Sequence, residues 1–186
     1  MGIIIEGLSR ADNKKLYEAI EKAGNTYGLT RIKIKTVEDG FVLNSNYNSM
    51  KVSRELPELL NKGELEAALA HEFSHIYHGD PKKDLIMAVP FIILAILYPI
   101  TNHYVNNDYY LYILITPILL AVVYLIICVM VLHKWDKRSD QEAAMKTSIP
   151  AMIGMLEKRR KNVTGFDPLH PTIDNRIKWV RNIESK

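Results

Sequence analysis

Two long runs without a charged side chain interrupt an otherwise densely charged chain. No residue from Leu85 to Asn107 or from Tyr109 to Leu132 carries a formal charge, and Asp108 alone lies between the two runs. The second run exceeds the roughly 20 residues that a helix needs to cross a bilayer, whereas the first needs its polar end or a locally thinned bilayer. A chain of 186 residues could hardly cover two helices that are apolar on every side. The pattern therefore favours a transmembrane hairpin over 84–132, with spans at about 85–104 and 110–132, rather than two buried core helices.

The segments on either side of this hairpin show helical periodicity in most places and strand alternation in one region. Ser9 is positioned to cap the first helix, and alternation of Ile32 and Ile34 with lysines, followed by short apolar stretches at 41–43 and 50–52, predicts a sheet of two or three strands. Helices are predicted at 9–28, 64–78, 134–146, 148–161 and 172–186. The fold class is therefore α+β and mainly helical, with 1–83 and 133–186 packed into one discontinuous domain.

The distribution of basic residues predicts how the hairpin is oriented. Lys82 and Lys83 precede the first span, whereas the connector at 101–110 contains no lysine or arginine. Basic residues also follow the second span: His133, Lys134, Lys137 and Arg138. By the positive-inside rule, we expect a multi-pass protein of the cell membrane with both termini and the charged domain in the cytoplasm. The mild net charge of +3 is then better explained by contact with an anionic lipid bilayer than by nucleic acid.

The stretch LAHEFSHIYHGD, residues 69–80, carries the most specific chemistry in the chain. His71 and His75 are four residues apart on a predicted helix, so both imidazoles can reach one tetrahedral zinc ion. Glu72, next to the first histidine, can act as a general base that takes a proton from an attacking water and passes it to the leaving amine. A surface helix with two chance histidines is the alternative, but the alanine-rich, apolar surroundings disfavour it because unpaired polar groups there would be costly. One Zn²⁺ per chain is therefore predicted.

A third protein ligand must come from elsewhere in the chain. The hairpin would return the helix after the second span to the side of the histidine helix, which makes Asp136, Asp140 and Glu142 the candidates. Asp136 and Asp140 share one helical face, so one could bind the metal while the other orients a histidine through its second ring nitrogen. His78 is expected to face solvent or to support the site rather than to bind the metal.

With these residues in place, the chain resembles the membrane-bound gluzincin family that includes the HtpX proteases and the type I CAAX prenyl proteases. ELEAALAHEFSHIYHGD is similar to that family's zinc-helix segment, and DKRSDQEA, residues 136–143, is similar to its Glu-x-x-Ala-Asp-x-x-Ala pattern. Here Asp136 stands at the position of the ligand and Ser139 at that of the alanine. The resemblance implies a zincin-type site with Asp136 as the third ligand and Asp140 in support, with Glu142 as the alternative ligand.

Two further segments resemble parts of the family that lie near the substrate. LHPTIDNRI, residues 169–177, is similar to the family's His-Pro-x-x-x-x-Arg signature, which implies that His170 and Arg176 support the active site, as donors to the substrate carbonyl or oxyanion. GFVLNSNYNSMKVSREL is similar to the family's edge-strand region. It implies substrate contact at Leu43, Asn44, Ser45 and Asn46.

The resemblance implies a membrane-bound zinc endopeptidase that cleaves membrane or membrane-proximal proteins, in a role of protein quality control. A catalytically weak or inactive zinc-binding membrane scaffold or sensor is the alternative. A prenyl-protein processing enzyme would need a large enclosed chamber, which two spans cannot build.

Overall fold

The chain folds into seven helices and a small sheet in the part that the structure describes. The structure is a computed structural model that describes residues 3–38, 40–47, 49–104, 110–163 and 169–183. The elements are β1 (Ile4–Glu6), α1 (Lys14–Thr26), β2 (Arg31–Val37), β3 (Leu43–Asn46), β4 (Ser49–Ser53), α2 (Leu56–Leu59), α3 (Lys62–His78), α4 (Asp80–Tyr104), α5 (Tyr110–Lys146), α6 (Ile149–Asn162) and α7 (Ile173–Arg181). A mainly helical α+β fold with a small sheet is therefore confirmed.

The sheet is mixed and has four strands in the order β1-β2-β4-β3. β2 pairs in parallel with both β1 and β4, and β3 runs antiparallel to β4 at one edge of the sheet. The expectation of two or three strands was wrong because β1 has only three residues, too few to show alternation, and depends on its pairing with Arg31–Lys33. The strand expected at 41–43 begins instead at Leu43. Among the described residues, no strand pairs with the outer side of β3, so its backbone there can accept an added strand.

The first helix begins later than expected. Asn13, not Ser9, caps α1, and its side chain accepts a hydrogen bond from the Leu16 amide. Ser9 instead hydrogen-bonds with Asp12 in the turn before the helix. The buried side of α1 then packs against α3.

The helix α3 lies at the centre of the charged domain, packed against α1, α5, α6 and β3. At its start, Asn61 and Glu64 form a reciprocal capping box, and at its end Gly79 adopts a left-handed conformation with φ 68°. Small side chains allow neighbours to approach closely on several sides, and Ala67, Ala68 and Ala70 are all buried. The helix that carries the two histidines is therefore held on every side by packed elements.

The helices α4 and α5 expose large apolar side chains over most of their length. Such residues include Ile86, Ile92, Ile96, Leu120, Val123 and Ile126. The two helices contact each other through Tyr124, whose hydroxyl donates to the Met87 carbonyl at 3.1 Å and whose ring lies against Phe91. Within the described residues, one stretch, Ile115–Lys146, is long and apolar enough to cross a membrane, and almost none of its apolar segment is buried. The two-helix hairpin and its orientation stay predictions, and the centre of the connector, 105–109, lies outside the described residues.

Candidate metal centre

Two helices bring three possible metal ligands together. α3 presents His71 and His75 one turn apart, and α5 presents Asp136 opposite them. The two Nε2 atoms lie 3.2 Å apart, and Oδ1 of Asp136 lies 3.8 Å from Nε2 of His71 and 3.4 Å from Nε2 of His75. Among the described residues, these three form the one group of histidine, cysteine or acidic side chains with ligand atoms this close together.

The spacing of these three atoms fits zinc. Bonds of about 2.0–2.2 Å at tetrahedral angles place neighbouring ligand atoms about 3.3–3.6 Å apart, close to the separations found here. Two neutral imidazole nitrogens and one carboxylate oxygen are also a ligand set that zinc accepts in catalytic sites. The residues present therefore match the metal that the motif implies.

Each histidine is oriented through its other ring nitrogen by a carboxylate. Nδ1 of His71 lies 2.9 Å from Oδ1 of Asp140, and Nδ1 of His75 lies 3.0 Å from Oδ2 of Asp80. A carboxylate accepts a hydrogen bond but does not donate one, which places the proton of each neutral ring on Nδ1. Both Nε2 lone pairs then point towards the common centre, as metal-binding histidines require.

Asp80 is a part of this arrangement that sequence reasoning missed. It is the first residue of α4, is only 2% exposed, and also contacts Arg138 of α5 and Lys83 of its own helix. The carboxylate thus joins a histidine of α3 to the start of the first exposed apolar region and to the part of α5 that follows the second. The Gly79-Asp80 pair directly after the motif was the available signal, but it shows only where the helix ends and not that the chain turns back.

The charges around the two histidines act on them differently. Burial lowers the pKa of His71 below its usual value, and Arg176 and His75 add to that effect. Burial also acts to lower the pKa of His75, but hydrogen bonds to Asp136 and Asp80 and the charge of Glu72 outweigh it and raise the pKa to about 9. An environment that favours positive charge so strongly at His75 also favours a bound cation.

His170 and Arg176 both lie beside the candidate metal centre, but His170 is partly exposed and Arg176 is buried. Nδ1 of His170 lies 2.9 Å from Oδ2 of Asp136, and the His170 side chain is 50% exposed. Arg176 is 1% exposed and donates from Nε and Nη2 to the two oxygens of Asp140 at 2.8 and 2.5 Å. This geometry favours His170 as a residue that can also reach substrate. It does not favour the expectation that Arg176 donates to a substrate oxyanion, because the guanidinium is buried against Asp140.

Glu142 lies at a separate cluster between α3 and α5. Its Oε2 accepts a hydrogen bond from Ser74 at 2.8 Å, and its Oε1 lies 2.8 Å from Nε2 of His78. Glu142 is therefore engaged away from the His71–His75 pair, and His78 supports the contact between the two helices.

Ser139 is fully buried with no partner for its hydroxyl among the described residues, so the alanine of the related pattern would suit that position.

A cleft of about 250 Å³ opens at the centre. The edge strand β3 contributes Leu43, Asn44 and Ser45 to its walls, and Asn46 lines a groove that continues along the sheet. The acidic residues Glu72, Asp84 and Asp136 face the same cleft, as does Arg159 of α6. Arg159 was also missed from the sequence, because it stands within a run of basic residues, 158–161, that reads as a solvated helix face.

A helix with the His-Glu-x-x-His motif, joined by a carboxylate from a second helix, defines a site of the metallopeptidase class. The chain belongs to peptidase family M48, whose model matches residues 13–184. M48 peptidases are zinc metallopeptidases, and the relatives described next place this chain among the HtpX-like members.

The curated relatives share modest identity with the chain. It is 27% identical to the Protease HtpX homolog of Neisseria meningitidis serogroup B in an alignment 165 residues long, gaps included, that covers 74% of this chain and 59% of that protein. It is 30% identical to the Protease HtpX homolog of Bacteroides fragilis in an alignment 91 residues long, gaps included, that covers 46% of this chain and 28% of the relative. The chain thus spans less than two thirds of either relative. No solved structure gives a significant match.

Proposed function

We propose that this protein is a membrane-bound zinc endopeptidase that cleaves membrane or membrane-proximal proteins in extended form. The observation that carries the proposal is the convergence of His71, His75 and Asp136 in a cleft that also contains Glu72 and an edge strand. Membership of a peptidase family supports it. A role in protein quality control belongs to the same proposal and rests on the resemblance to HtpX proteases alone.

Glu72 is the proposed general base and acid. Zinc, when bound, would lower the pKa of an attacking water and polarise the scissile carbonyl. The Glu72 carboxylate is buried next to His71 in sequence and lines the cleft, where it can take the proton of that water and deliver it to the leaving amine. In its doubly protonated form, the half-exposed His170 ring donates from Nδ1 to Asp136 and can also donate from Nε2 towards a substrate oxygen. Arg176 acts through Asp140, which holds the His71 ring.

The edge strand β3 is the proposed binding surface for the peptide. β3 packs against α3 and lines the cleft beside the histidines. An extended substrate can therefore add to the sheet at this edge and place a peptide bond over the centre. Main-chain pairing of this kind tolerates many sequences, as expected of an enzyme that acts on unfolded segments.

Zinc removal and return tests this function. Purified full-length protein in detergent is expected to cleave casein, to stop when 1,10-phenanthroline removes the metal, and to recover when Zn²⁺ is added after the chelator is washed out. Fluorescence of labelled casein measures the rate. A metal-loaded protein that leaves casein intact, or cleavage that persists in the chelated protein, would contradict the proposal.

The proposed orientation has both termini in the cytoplasm, and it can be tested by labelling. In a Cys128→Ser background, Asn106→Cys is expected to react with a membrane-impermeant maleimide added to intact cells. Glu157→Cys, at an exposed position of α6, is the control and is expected to react only after the membrane is opened. The opposite pattern would reverse the orientation, and labelling of both or neither would contradict a hairpin.

Asp80→Ala is expected to weaken zinc binding about 10- to 100-fold, because loss of a carboxylate behind a ligating histidine typically has this effect. Asp80→Asn keeps an acceptor for the His75 proton, so its effect should be smaller. Competition with a chromophoric chelator measures the affinity, far-UV circular dichroism checks the fold, and Asp12→Ala, at a remote exposed position, is the control. Unchanged affinity in a folded Asp80→Ala protein would show that Asp80 does not position His75.

A further inference from the structure

Arg159 is a cation in the cleft without a partner among the described residues. It lies near the end of α6 and lines the cleft with the metal ligands and β3. Its two neighbours in sequence are engaged: Lys158 donates to Glu64 and to the Leu59 carbonyl, and Arg160 pairs with Asp174. The guanidinium of Arg159 makes no hydrogen bond or ion pair within the part of the chain that the structure describes.

The surroundings of Arg159 stabilise its positive charge poorly as long as no anion is bound. Burial lowers the pKa of Arg159, the like charge of Arg176 adds to that effect, and the nearby carboxylates Glu72, Asp136 and Asp140 oppose it. Asp136 and Asp140 already receive hydrogen bonds from His170 and Arg176. A half-buried guanidinium that lacks a partner gains more from an anionic ligand than a solvated one does.

We propose that Arg159 binds a carboxylate of the substrate, so that the peptidase prefers chains with an acidic group close to the scissile bond. The planar fork of a guanidinium matches a carboxylate in a two-point contact. Elsewhere the cleft walls carry Glu72, Asp84 and Asp136, whose negative charges repel a substrate carboxylate. A substrate carboxylate would therefore bind at Arg159. This inference rests on the proposed peptidase function and specifies its substrate class. An acidic side chain and a free C-terminus offer the same chemistry.

Matched peptides measure this preference. Internally quenched, C-terminally amidated nonapeptides carry Glu, Gln or Lys at each position in turn and are cleaved by the zinc-loaded full chain in detergent. At one position, wild type is expected to show a kcat/KM about 10- to 100-fold higher for Glu than for Gln, as for a hydrogen bond to a charged group. Arg159→Gln should bring this ratio to about 1, and Arg159→Glu should shift the preference to Lys. Arg160→Gln is the neighbouring control and should leave the ratio unchanged.

A second peptide set, with free C-termini, distinguishes an acidic side chain from a C-terminal carboxylate as the group that binds Arg159. If peptides with free C-termini are cleaved faster than their amidated counterparts, and this difference is lost in Arg159→Gln, the bound carboxylate is that of the chain end. This result still supports the inference. An equal fall in kcat/KM for Glu and Gln peptides, with amidated and with free C-termini, would overturn it, because Arg159 would then act on every substrate alike. Zinc content and circular dichroism check the fold, and Arg159→Lys, with a retained charge but no fork, should keep only part of the preference.

A binding measurement separates this inference from the peptidase function. Zinc-loaded Glu72→Gln protein is mixed with fluorescein-labelled Glu and Gln peptides, and anisotropy reports their affinities. Tighter binding of the Glu peptide that disappears in the Arg159→Gln, Glu72→Gln double variant supports the inference even if wild type cleaves nothing. Equal affinities for the Glu and Gln peptides, together with equal affinities for their amidated and free C-terminal forms, would overturn it even if wild type is an active peptidase.

Discussion

Replacing Glu72 with Gln is expected to reduce casein cleavage by about 10²- to 10⁴-fold while the protein keeps its zinc. The amide has nearly the same shape as the carboxylate but cannot accept the water's proton, so the chemical step should slow without loss of the metal ligands. Initial rates with labelled casein and metal content by atomic emission give the two readouts. Glu66→Gln is the matched control because Glu66 lies on the same helix and pairs with Lys22 outside the cleft.

The same comparison separates an enzyme from a zinc-binding scaffold. If wild type and Glu72→Gln both bind zinc and behave alike towards casein, the catalytic role of Glu72 fails and the scaffold or sensor alternative stands. If Glu72→Gln loses its zinc, Glu72 is a ligand rather than a base. Only zinc retained with activity lost agrees with the geometry, in which Glu72 lies beside the ligand group and not within it.

Replacing Asp136 with Ala is expected to weaken zinc binding by more than about 100-fold, beyond the loss typical of an outer supporting residue. Asp136 supplies the third ligand atom, and its carboxylate also receives the His170 ring, so its removal leaves two ligands and an unsupported histidine. Glu142→Ala is the matched control on the same helix. It should leave zinc affinity within a few-fold of wild type, because Glu142 is bound to Ser74 and His78. Chelator competition with each folded variant measures the affinities.

The reverse result would reassign the third ligand. Zinc retained in Asp136→Ala but lost in Glu142→Ala would mean that α5 rotates or shifts to present Glu142 when metal binds. Loss in both variants with loss of helical content would instead show that the contact between α3 and α5 holds the domain together. Circular dichroism on each variant distinguishes these outcomes.

Local sequence spacing predicts the part of the site that lies on one helix. His71, Glu72 and His75 are close in sequence, and the helix that presents them follows from its apolar periodicity and its capping residues. Asp136 is 61 positions from His75, beyond the apolar segment. The hairpin made it one of three candidate ligands, and the resemblance to a known family singled it out. Its placement beside the histidines depends on how α5 packs against α3.

The residues that sequence reasoning missed are those whose role depends on tertiary contacts. Asp80 reaches back to His75 because Gly79 turns the chain at the end of α3. Arg159 enters the cleft because α6 packs against α3, although its neighbours in sequence are solvated or paired elsewhere. Arg176 was identified, but its burial against Asp140 could not be read from spacing and changes its expected role from a substrate contact to a support.

An anomalous difference map from crystals of the zinc-loaded protein, recorded at the zinc absorption edge, tests the proposed zinc site most directly. We expect one peak per chain, about 2.0–2.2 Å from Nε2 of His71, Nε2 of His75 and a carboxylate oxygen of Asp136. A peak beside Glu142 and His78, or no peak at the three atoms in protein that contains zinc, would contradict it.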